Sequence, residues 1–266
     1  MILLLDAGNT RIKWAAVHGA GLSEAGHEAY AEPGWRQRLI RAWEPLGRAE
    51  RVVASCVAGE TVRSELAALL AERWDLVPDW VAARGHGWGV SNAYARPERL
   101  GPDRWAALVA ARALFEGPVC VVDCGSAVTL DVLDAQGRHL GGWILPGLDM
   151  MRRVLAERTG ALGLGREPER GSQDEGGAEL GTDTQTCIDR GTRAAVAATI
   201  ERGLRAAASA AGATPTCVLT GGDAPTLQRL LAPGREPAPV LAPQLVLQGL
   251  ARIADIDIGS HAGPRR

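Results

Sequence analysis

Lysine is almost absent from this chain of 266 residues, which contains 29 lysines and arginines together but only one lysine, Lys13. The commonest phosphate-binding loop, G-x-x-x-x-G-K-[ST], places a lysine on the β- and γ-phosphates of a nucleotide. The residues before Lys13 do not match that pattern. Any nucleotide bound here is therefore held by a different arrangement.

The chain also lacks an excess of one charge and a long apolar run. Its net charge of −2 argues against a nucleic-acid partner and against a polybasic membrane surface. No stretch reaches the roughly 20 apolar residues of a membrane span. The apolar N-terminus is interrupted by Asp6 and lacks the basic region of a secretory signal. We expect a cytoplasmic protein without membrane or nucleic-acid partners.

Cysteine is scarce, and the five residues are scattered through the chain. Only Cys120 and Cys124 lie close in sequence, and on a strand they would be about 13 Å apart, too far to share one ion. The five histidines show no metal-ligand spacing. We expect free, mostly buried thiols, typical of a reducing compartment.

One pattern occurs twice: a hydrophobic strand, an aspartate, a glycine turn and a second strand. The first copy covers residues 2–17 with Asp6, and the second covers residues 119–133 with Asp123. An acid at the end of a buried strand lies at the edge where open α/β sheets bind ligands. Two such hairpins predict a phosphate- and metal-binding cleft between two related domains.

The remaining periodicity predicts an α/β protein of two domains, residues 1–115 and 116–258, followed by an unstructured tail, 259–266. Residues 165–183, rich in glycine and acid, are expected to form a mobile loop or an insert without a role. The predicted strands cover 1–17 (two strands), 51–57, Trp80 to Ala82, 118–123, 127–133, 139–144 and 215–220. Helices are predicted over 60–74, from Pro102, after Pro146-Gly147, and over 184–211, 223–232 and 243–256.

The first hairpin has two interpretations. Asp6 can hold Mg²⁺, directly or through water, while the turn from Gly8 to Thr10 binds phosphate, because glycine lets the backbone approach an anion closely. Alternatively, these are turn residues that only close a hairpin. The second copy at Asp123 favours the functional interpretation.

Asp103 and Arg104 stand in the first turn of a predicted helix. Asp103 is a candidate general base and Arg104 a candidate clamp for a substrate carboxylate. The alternatives are helix-start chemistry for the aspartate and a surface ion pair for the arginine. Tyr94, one of two tyrosines, is either a substrate contact or a core residue with a solvated hydroxyl.

Gly221 and Gly222 separate a predicted strand from a helix. Because these two glycines have no side chains, a flat ring could pack directly against the backbone there. The alternative is a tight turn with Asp223 as the helix N-cap. Trp105 and Trp143 are expected in the core rather than at a substrate.

A set of short motifs in fixed order resembles the type III pantothenate kinases, which belong to the acetate and sugar kinase, Hsp70 and actin superfamily. The motifs are Asp6-x-Gly8-Asn9-Thr10 with Lys13-Trp14, Asn92-x-Tyr94, Leu100-Gly101-x-Asp103-Arg104-Trp105, Asp123-x-Gly125-Ser126-Ala127-x-Thr129, Gly141-Gly142-x-Ile144-x-Pro146-Gly147, Thr184 ahead of Gly191, and Leu219-Thr220-Gly221-Gly222-Asp223. The resemblance implies two ribonuclease-H-like (actin-like ATPase) domains. Their mixed sheets would be flanked by helices, with the active site in the cleft between the domains.

The resemblance also implies a function: ATP-dependent phosphorylation of pantothenate to 4'-phosphopantothenate, the first step of coenzyme A biosynthesis. Asp103 would be the base, and Asp123 would help hold K⁺ or NH₄⁺. A homodimer is implied, with the second subunit helping to form the pantothenate site. Contacts to ATP phosphates and the divalent metal would come from Asp6, Ala7, Gly8, Asn9, Thr10, Arg11, Ile12 and Lys13, and a further ATP contact from Ser126, where the family usually has threonine. Pantothenate would contact Tyr94, Gly101, Pro102, Asp103, Arg104 and Thr184.

Two other functions stay open. One is a non-catalytic nucleotide-binding protein with an accessory or regulatory role. The other is a kinase for a different small hydroxylated acid or sugar. The presence of both a candidate metal ligand, Asp6, and a candidate base, Asp103, favours an enzyme.

Overall fold

The computed structural model describes residues 1–19, 21–30, 33–158, 180–231, 234, 236–256 and 258. It contains two five-stranded mixed sheets built on one plan. In spatial order, the first sheet consists of β3 (Leu22–Ala29), β2 (Arg11–Val17), β1 (Ile2–Ala7), β4 (Arg51–Cys56) and β5 (Asp79–Trp80). In the same order, the second consists of β10 (His139–Pro146), β9 (Ala127–Leu133), β8 (Val119–Cys124), β11 (Thr216–Thr220) and β12 (Val240–Leu241).

The central strand of the first sheet, β1, is buried on both faces. Leu3 and Leu5 pack into a cluster with helices α1 (Trp35–Ala42) and α2 (Glu60–Trp74), whereas Leu4 joins a different cluster on the opposite face. This alternation follows from the two-residue period of a strand. It explains why β1 is an uninterrupted apolar run up to Asp6.

The two sheets repeat each other residue by residue around the aspartates. Asp6 pairs with Ser55 on the parallel neighbour β4, and Asp123 pairs with Thr220 on the parallel neighbour β11. Each acid therefore has a small hydroxyl residue beside it on the next strand. The hydrophobic layer of the second sheet also includes residues of α4 (Leu148–Arg158), α5 (Thr184–Ala211) and α6 (Ala224–Leu231).

Helices α3 (Pro102–Leu114) and α7 (Leu245–Ile253) pack against each other in the cluster that joins the two sheets. That cluster contains Leu4 of the first sheet and Val121 of the second. The two helices touch through backbone, because a Cβ added at Gly249 would lie 1.9 Å from the carbonyl oxygen of Ala106. This shared core fixes the two aspartate-bearing edges relative to each other.

Most predicted elements are present with small shifts of their ends. The strand expected at Trp80 to Ala82 is Asp79–Trp80. The stretch 85–101 is not only loop: it contains a hairpin, β6 (His86–Gly87) and β7 (Val90–Ser91), and a 3-10 turn at Pro97–Arg99. Strands β3 and β12 and helix α1 had not been predicted. Residues 165–179 of the expected loop and the tail 259–266 lie outside the described residues, and the domain limits stay a prediction.

Two expectations from composition can be compared with the structure. All five cysteines are free, although Cys56 is only partly buried and Cys187 is exposed. Over the described ranges, no helix combines the length and the apolar character that crossing a membrane requires.

Candidate active site

The first hairpin places a buried carboxylate beside the lysine of the chain. Its turn is closed by a hydrogen bond from the Gly8 amide to the Arg11 carbonyl, 3.0 Å long. Asp6 is 7% exposed, and its Oδ1 accepts a 2.8 Å bond from Ser55 Oγ. The pKa of Asp6 is raised to about 7, mainly by burial and then by the charge of Asp103, while Lys13 acts to lower it. The folded protein thus disfavours the ionised form of Asp6 in the absence of a bound cation.

The second hairpin repeats this arrangement. Its turn is closed by a 3.1 Å bond from the Gly125 amide to the Ala127 carbonyl. Burial raises the pKa of Asp123 to about 6, Lys13 lowers it, and Asp103 raises it. A Cβ added at Gly221 would lie 2.5 Å from Asp123 Oδ1, and Gly221 has φ +91°. Glycine is therefore required beside this carboxylate both for space and for backbone conformation.

The turns of the two hairpins face each other. Thr10 Oγ1 lies 2.7 Å from Ser126 Oγ, which is a hydrogen bond between the halves of the chain. Arg11 Nη1 lies 3.9 Å from the position of a Cβ at Gly222. The residues predicted from the two separate halves to contact ATP are thus brought together.

Asp103 is the second residue of α3 and the third acid of the cluster. Its Oδ1 accepts a 2.8 Å bond from the Arg104 amide, and a Cβ at Gly101 would lie 2.4 Å from that oxygen. Burial raises the pKa of Asp103. Since the charge of Asp103 raises the pKa of both Asp6 and Asp123, the three acids lie within electrostatic reach of one another.

Arg104 is not the surface residue of the alternative interpretation. It is buried and forms a two-pronged ion pair with Asp131 of β9, with Nε–Oδ2 and Nη2–Oδ1 distances of 2.7 and 2.6 Å. Its Nη1 donates to the hydroxyl of Tyr94 at 3.0 Å. The role of Arg104 toward a substrate carboxylate stays a prediction, but its guanidinium is already fixed by the protein.

Asp131 and His139 were missed by the sequence reasoning. His139 Nε2 lies 2.9 Å from Asp131 Oδ1, so both belong to the network around Arg104. One signal was available: Asp131 is the charged residue in the largely apolar strand Ala127–Leu133, and a buried charge requires a partner.

Comparison with known proteins agrees with this arrangement. A family model described as type III pantothenate kinase matches residues 2–206. The chain belongs to the type III pantothenate kinase family. It is 40% identical over 259 residues to the type III pantothenate kinase of Nitrosococcus oceani, covering 96% of this chain and 94% of that protein. The corresponding protein of Azoarcus sp. strain BH72 is 40% identical over 266 residues, covering 99% and 94%.

Solved structures show the same fold at low identity. The activator of 2-hydroxyisocaproyl-CoA dehydratase from Clostridium difficile, with bound ADPNP, has a TM-score of 0.55 at 13% identity and covers 95% of this chain. The matched region covers 93% of the activator's own chain. A protein from Campylobacter jejuni assigned to a Baf family of transcriptional activators has a TM-score of 0.57 at 18% identity, covering 95% and 97%. The pantothenate kinase family member described here therefore has the actin-like ATPase fold, which is consistent with use of ATP.

Several other predicted site residues can now be located. Ala7 and Ile12 are fully buried core residues, so only their backbone could meet a ligand. Thr184 is the first residue of α5, and among the described residues no hydrogen bond links it to the three aspartates. Asp223 directly precedes α6, and its amide donates to Cys124 at 3.0 Å.

The two tryptophans differ. Trp105 is fully buried, as expected, but the expectation for Trp143 is wrong. Trp143 is 38% exposed on β10, the edge strand of its sheet. One part of its ring packs over Gly203 of α5.

Proposed function

We propose that this chain transfers the γ-phosphoryl group of ATP to the primary hydroxyl of pantothenate, forming 4'-phosphopantothenate for coenzyme A synthesis. One observation carries the proposal: in a member of this family, the charges of three aspartates and the lone lysine, from both halves of the chain, act on one another beside two facing hairpin turns. Phosphoryl transfer needs positioning and charge stabilisation more than covalent chemistry. Such a cluster supplies both.

The nucleotide would lie across the two facing turns. In the first turn, residues 6–13 offer backbone amides and the side chains of Thr10, Arg11 and Lys13. Ser126 and the bare backbone at Gly221 and Gly222 would contact it from the other side. Lys13 lowers the pKa of both Asp6 and Asp123, so its positive charge acts on the carboxylates of both halves and would act on phosphates bound beside them.

The residues fit a hard divalent cation such as Mg²⁺. In the described part of the chain no three acidic, histidine or cysteine side chains are placed to hold one ion. Mg²⁺ does not require such a group, because it is bound by one or two carboxylates together with phosphate oxygens and water. Asp6 would be the protein ligand, because a bound cation would offset the cost of ionising this buried carboxyl group. When bound, the ion neutralises charge on the transferring phosphoryl group.

Asp123 would help hold the monovalent cation, K⁺ or NH₄⁺. Its partly buried carboxyl group also has a raised pKa, so a nearby cation would stabilise its ionised form. Carboxylate and backbone oxygens are suitable ligands for such ions.

Asp103 would act as the general base. Burial raises the pKa of this carboxylate, which makes it a stronger proton acceptor than an exposed aspartate. It would accept the proton of the primary hydroxyl as the oxygen attacks the γ-phosphorus. Gly101 leaves the space that the Asp103 carboxylate occupies, while Tyr94, Pro102 and Arg104 would line the substrate side.

A homodimer would complete the pantothenate site. All but Val77 and Leu230 of the large apolar side chains exposed in the described ranges lie on β10, on α4 or just before α5. Exposed apolar surface of this kind marks protein interfaces. Thr184 begins α5 beside that surface, so it would contact pantothenate bound by the partner subunit. Sedimentation of the protein with and without Ile144→Lys, a change at a 63% exposed position, tests the dimer.

Turnover measurements test the function. ADP release should require pantothenate together with Mg²⁺ and K⁺, and the product should be pantothenate plus one phosphoryl group. Asp103→Asn should lower kcat by about 10²–10⁴-fold, the usual contribution of general base catalysis. Asp79→Asn, which changes an exposed aspartate paired with Arg51, is the matched control and should turn over normally. ATP binding without turnover would favour the accessory protein, and turnover of another hydroxy acid would favour the third hypothesis.

A further inference from the structure

Asp131 is the centre of a hydrogen-bonded network around Arg104, and neither Asp131 nor its neighbour His139 has a role in the mechanism proposed above. Its side chain is 3% exposed. Both of its oxygens accept bonds from Arg104, and Oδ1 also contacts His139 Nε2. An ionised carboxylate only accepts hydrogen bonds, so Nε2 of His139 carries the proton it donates.

Tyr94 closes this network into a ring of four residues. Its hydroxyl accepts from Arg104 Nη1 at 3.0 Å, and its ring stacks on His139, with centroids 6.0 Å apart and planes 20° apart. The four side chains come from the loop before α3, from α3, from β9 and from β10. The network thus ties two strands of the second sheet to the start of α3, beside Asp103.

Arg104 keeps part of its donor capacity. A guanidinium has five N–H groups, and three are used by Asp131 and Tyr94. Within the described ranges the other two, one on each terminal nitrogen, have no partner. Asp131 therefore leaves Arg104 with two oriented N–H groups that can donate to an incoming polar group. Because the side chain is already held in place, it loses little rotamer entropy when such a group binds.

The ion pair lies close to the backbone of β10. A Cβ added at Gly142 of β10 would lie 2.6 Å from Asp131 Oδ1 and 3.2 Å from Arg104 Nη2. A side chain at position 142 would therefore displace both partners, and glycine leaves the space that they occupy. Arg104 itself is 9% exposed, so a change in the network would be transmitted directly to the guanidinium.

We propose that Asp131 and His139 are positioning residues for substrate binding: without touching pantothenate, they hold Arg104 and Tyr94 in the geometry that binds it. The inference rests on the proposed function, since Arg104 and Tyr94 are its predicted substrate contacts. It assigns a role to two residues that lie behind the site. The role concerns the binding of pantothenate. It does not extend to the binding of ATP or to proton transfer by Asp103.

Paired substitutions at His139 test this proposal by steady-state kinetics. His139→Phe keeps a ring against Tyr94 but removes the donor to Asp131, whereas His139→Gln restores a nitrogen donor near the position of Nε2. We expect His139→Phe to raise KM for pantothenate about 10-fold or more, as loss of a supporting hydrogen bond commonly does. Its KM for ATP and its kcat should stay close to wild type. His139→Gln should restore most of the affinity for pantothenate.

Asp131→Asn is the second variant, and it keeps the shape of the carboxylate while removing its charge. It should raise KM for pantothenate at least as much as His139→Phe. If the wild type is active and both His139→Phe and Asp131→Asn fold, an unchanged KM for pantothenate in the two variants overturns this inference and leaves the proposed function standing. So does a parallel rise in KM for ATP, or identical values for His139→Phe and His139→Gln. Absence of turnover in the wild type would instead overturn the proposed function, and this inference with it.

Discussion

Replacing Asp6 by asparagine should stabilise the metal-free protein while it abolishes turnover. Asp6 is 7% exposed, so solvent screens its charge poorly. Burial raises its pKa from 3.8 to about 7, which means that the folded state resists ionisation of this group. The stability that Asp6 contributes is fully present below about pH 4 and is lost as the pH rises through about 7.

The size of this effect follows from the pKa difference. A shift of about three units at about 1.36 kcal/mol each corresponds to roughly 4 kcal/mol of unfavourable free energy once Asp6 is ionised. Asparagine keeps the shape and an oxygen that can accept from Ser55, but loses the attraction to Lys13. We therefore expect a net gain of about 2–4 kcal/mol near pH 8, seen as a rise in Tm of about 5–10 °C.

Thermal unfolding of chelator-treated protein across a pH series measures this effect. The difference in Tm between Asp6→Asn and wild type should be large near pH 8 and small near pH 4. Adding Mg²⁺ with ATP should stabilise the wild type and not the variant, because a ligand stabilises only the state that binds it. Asp79→Asn, at an exposed aspartate, should show no such pH dependence. A variant less stable than wild type near pH 8, or a pH-independent difference, would refute the reasoning.

Three further substitutions test the site and the shared core. Gly101→Ala places a methyl group 2.4 Å from Oδ1 of Asp103 and must displace that carboxylate. Because a small displacement of a reacting group is costly, kcat should fall about 100-fold in turnover assays. An unchanged kcat would count against Asp103 as the general base. Ser55→Ala removes the hydroxyl that donates a hydrogen bond to Asp6. When the rate is measured against Mg²⁺ concentration, the apparent affinity for Mg²⁺ should be roughly 10-fold weaker. An unaltered titration curve would show that the Ser55 hydroxyl does not support metal binding. Gly249→Ala drives a methyl group into the backbone of α3 and should cost about 1–3 kcal/mol by denaturant unfolding. Gly191→Ala is the control, because the space around Gly191 is open, and it should leave the free energy of unfolding unchanged or raise it. Equal effects of Gly249→Ala and Gly191→Ala on stability would contradict the close contact between α3 and α7.

The aspartate hairpins could be predicted because local sequence determines them. A doubly buried strand is a continuous apolar run, and a glycine turn followed by alternating residues defines its partner. The repeat of Asp6 at Asp123 then indicated two related halves. The order of elements predicted the α/β class for the same reason, since each element carries its own periodicity.

The parts that were missed depend on tertiary contacts. Strand β3, Leu22–Ala29, is an edge strand with little apolar alternation, so its sequence carries no clear strand signal. The ion pair of Arg104 with Asp131 joins a helix of one half to a strand of the other, and no local pattern indicates that pairing. Trp143 was expected in the core because of its residue type, but an edge strand leaves it partly exposed.

The most direct test of the central claim is a structure of the protein with a non-hydrolysable ATP analogue and pantothenate. The claim is that Asp6, Asp103 and Asp123 surround one phosphoryl-transfer centre. The primary hydroxyl should lie about 2.6–3.2 Å from the carboxylate of Asp103, within hydrogen-bond reach. The γ-phosphoryl group should lie between that hydroxyl and the two hairpin aspartates. Pantothenate bound with its hydroxyl away from Asp103, or a nucleotide outside the facing turns, would contradict the account.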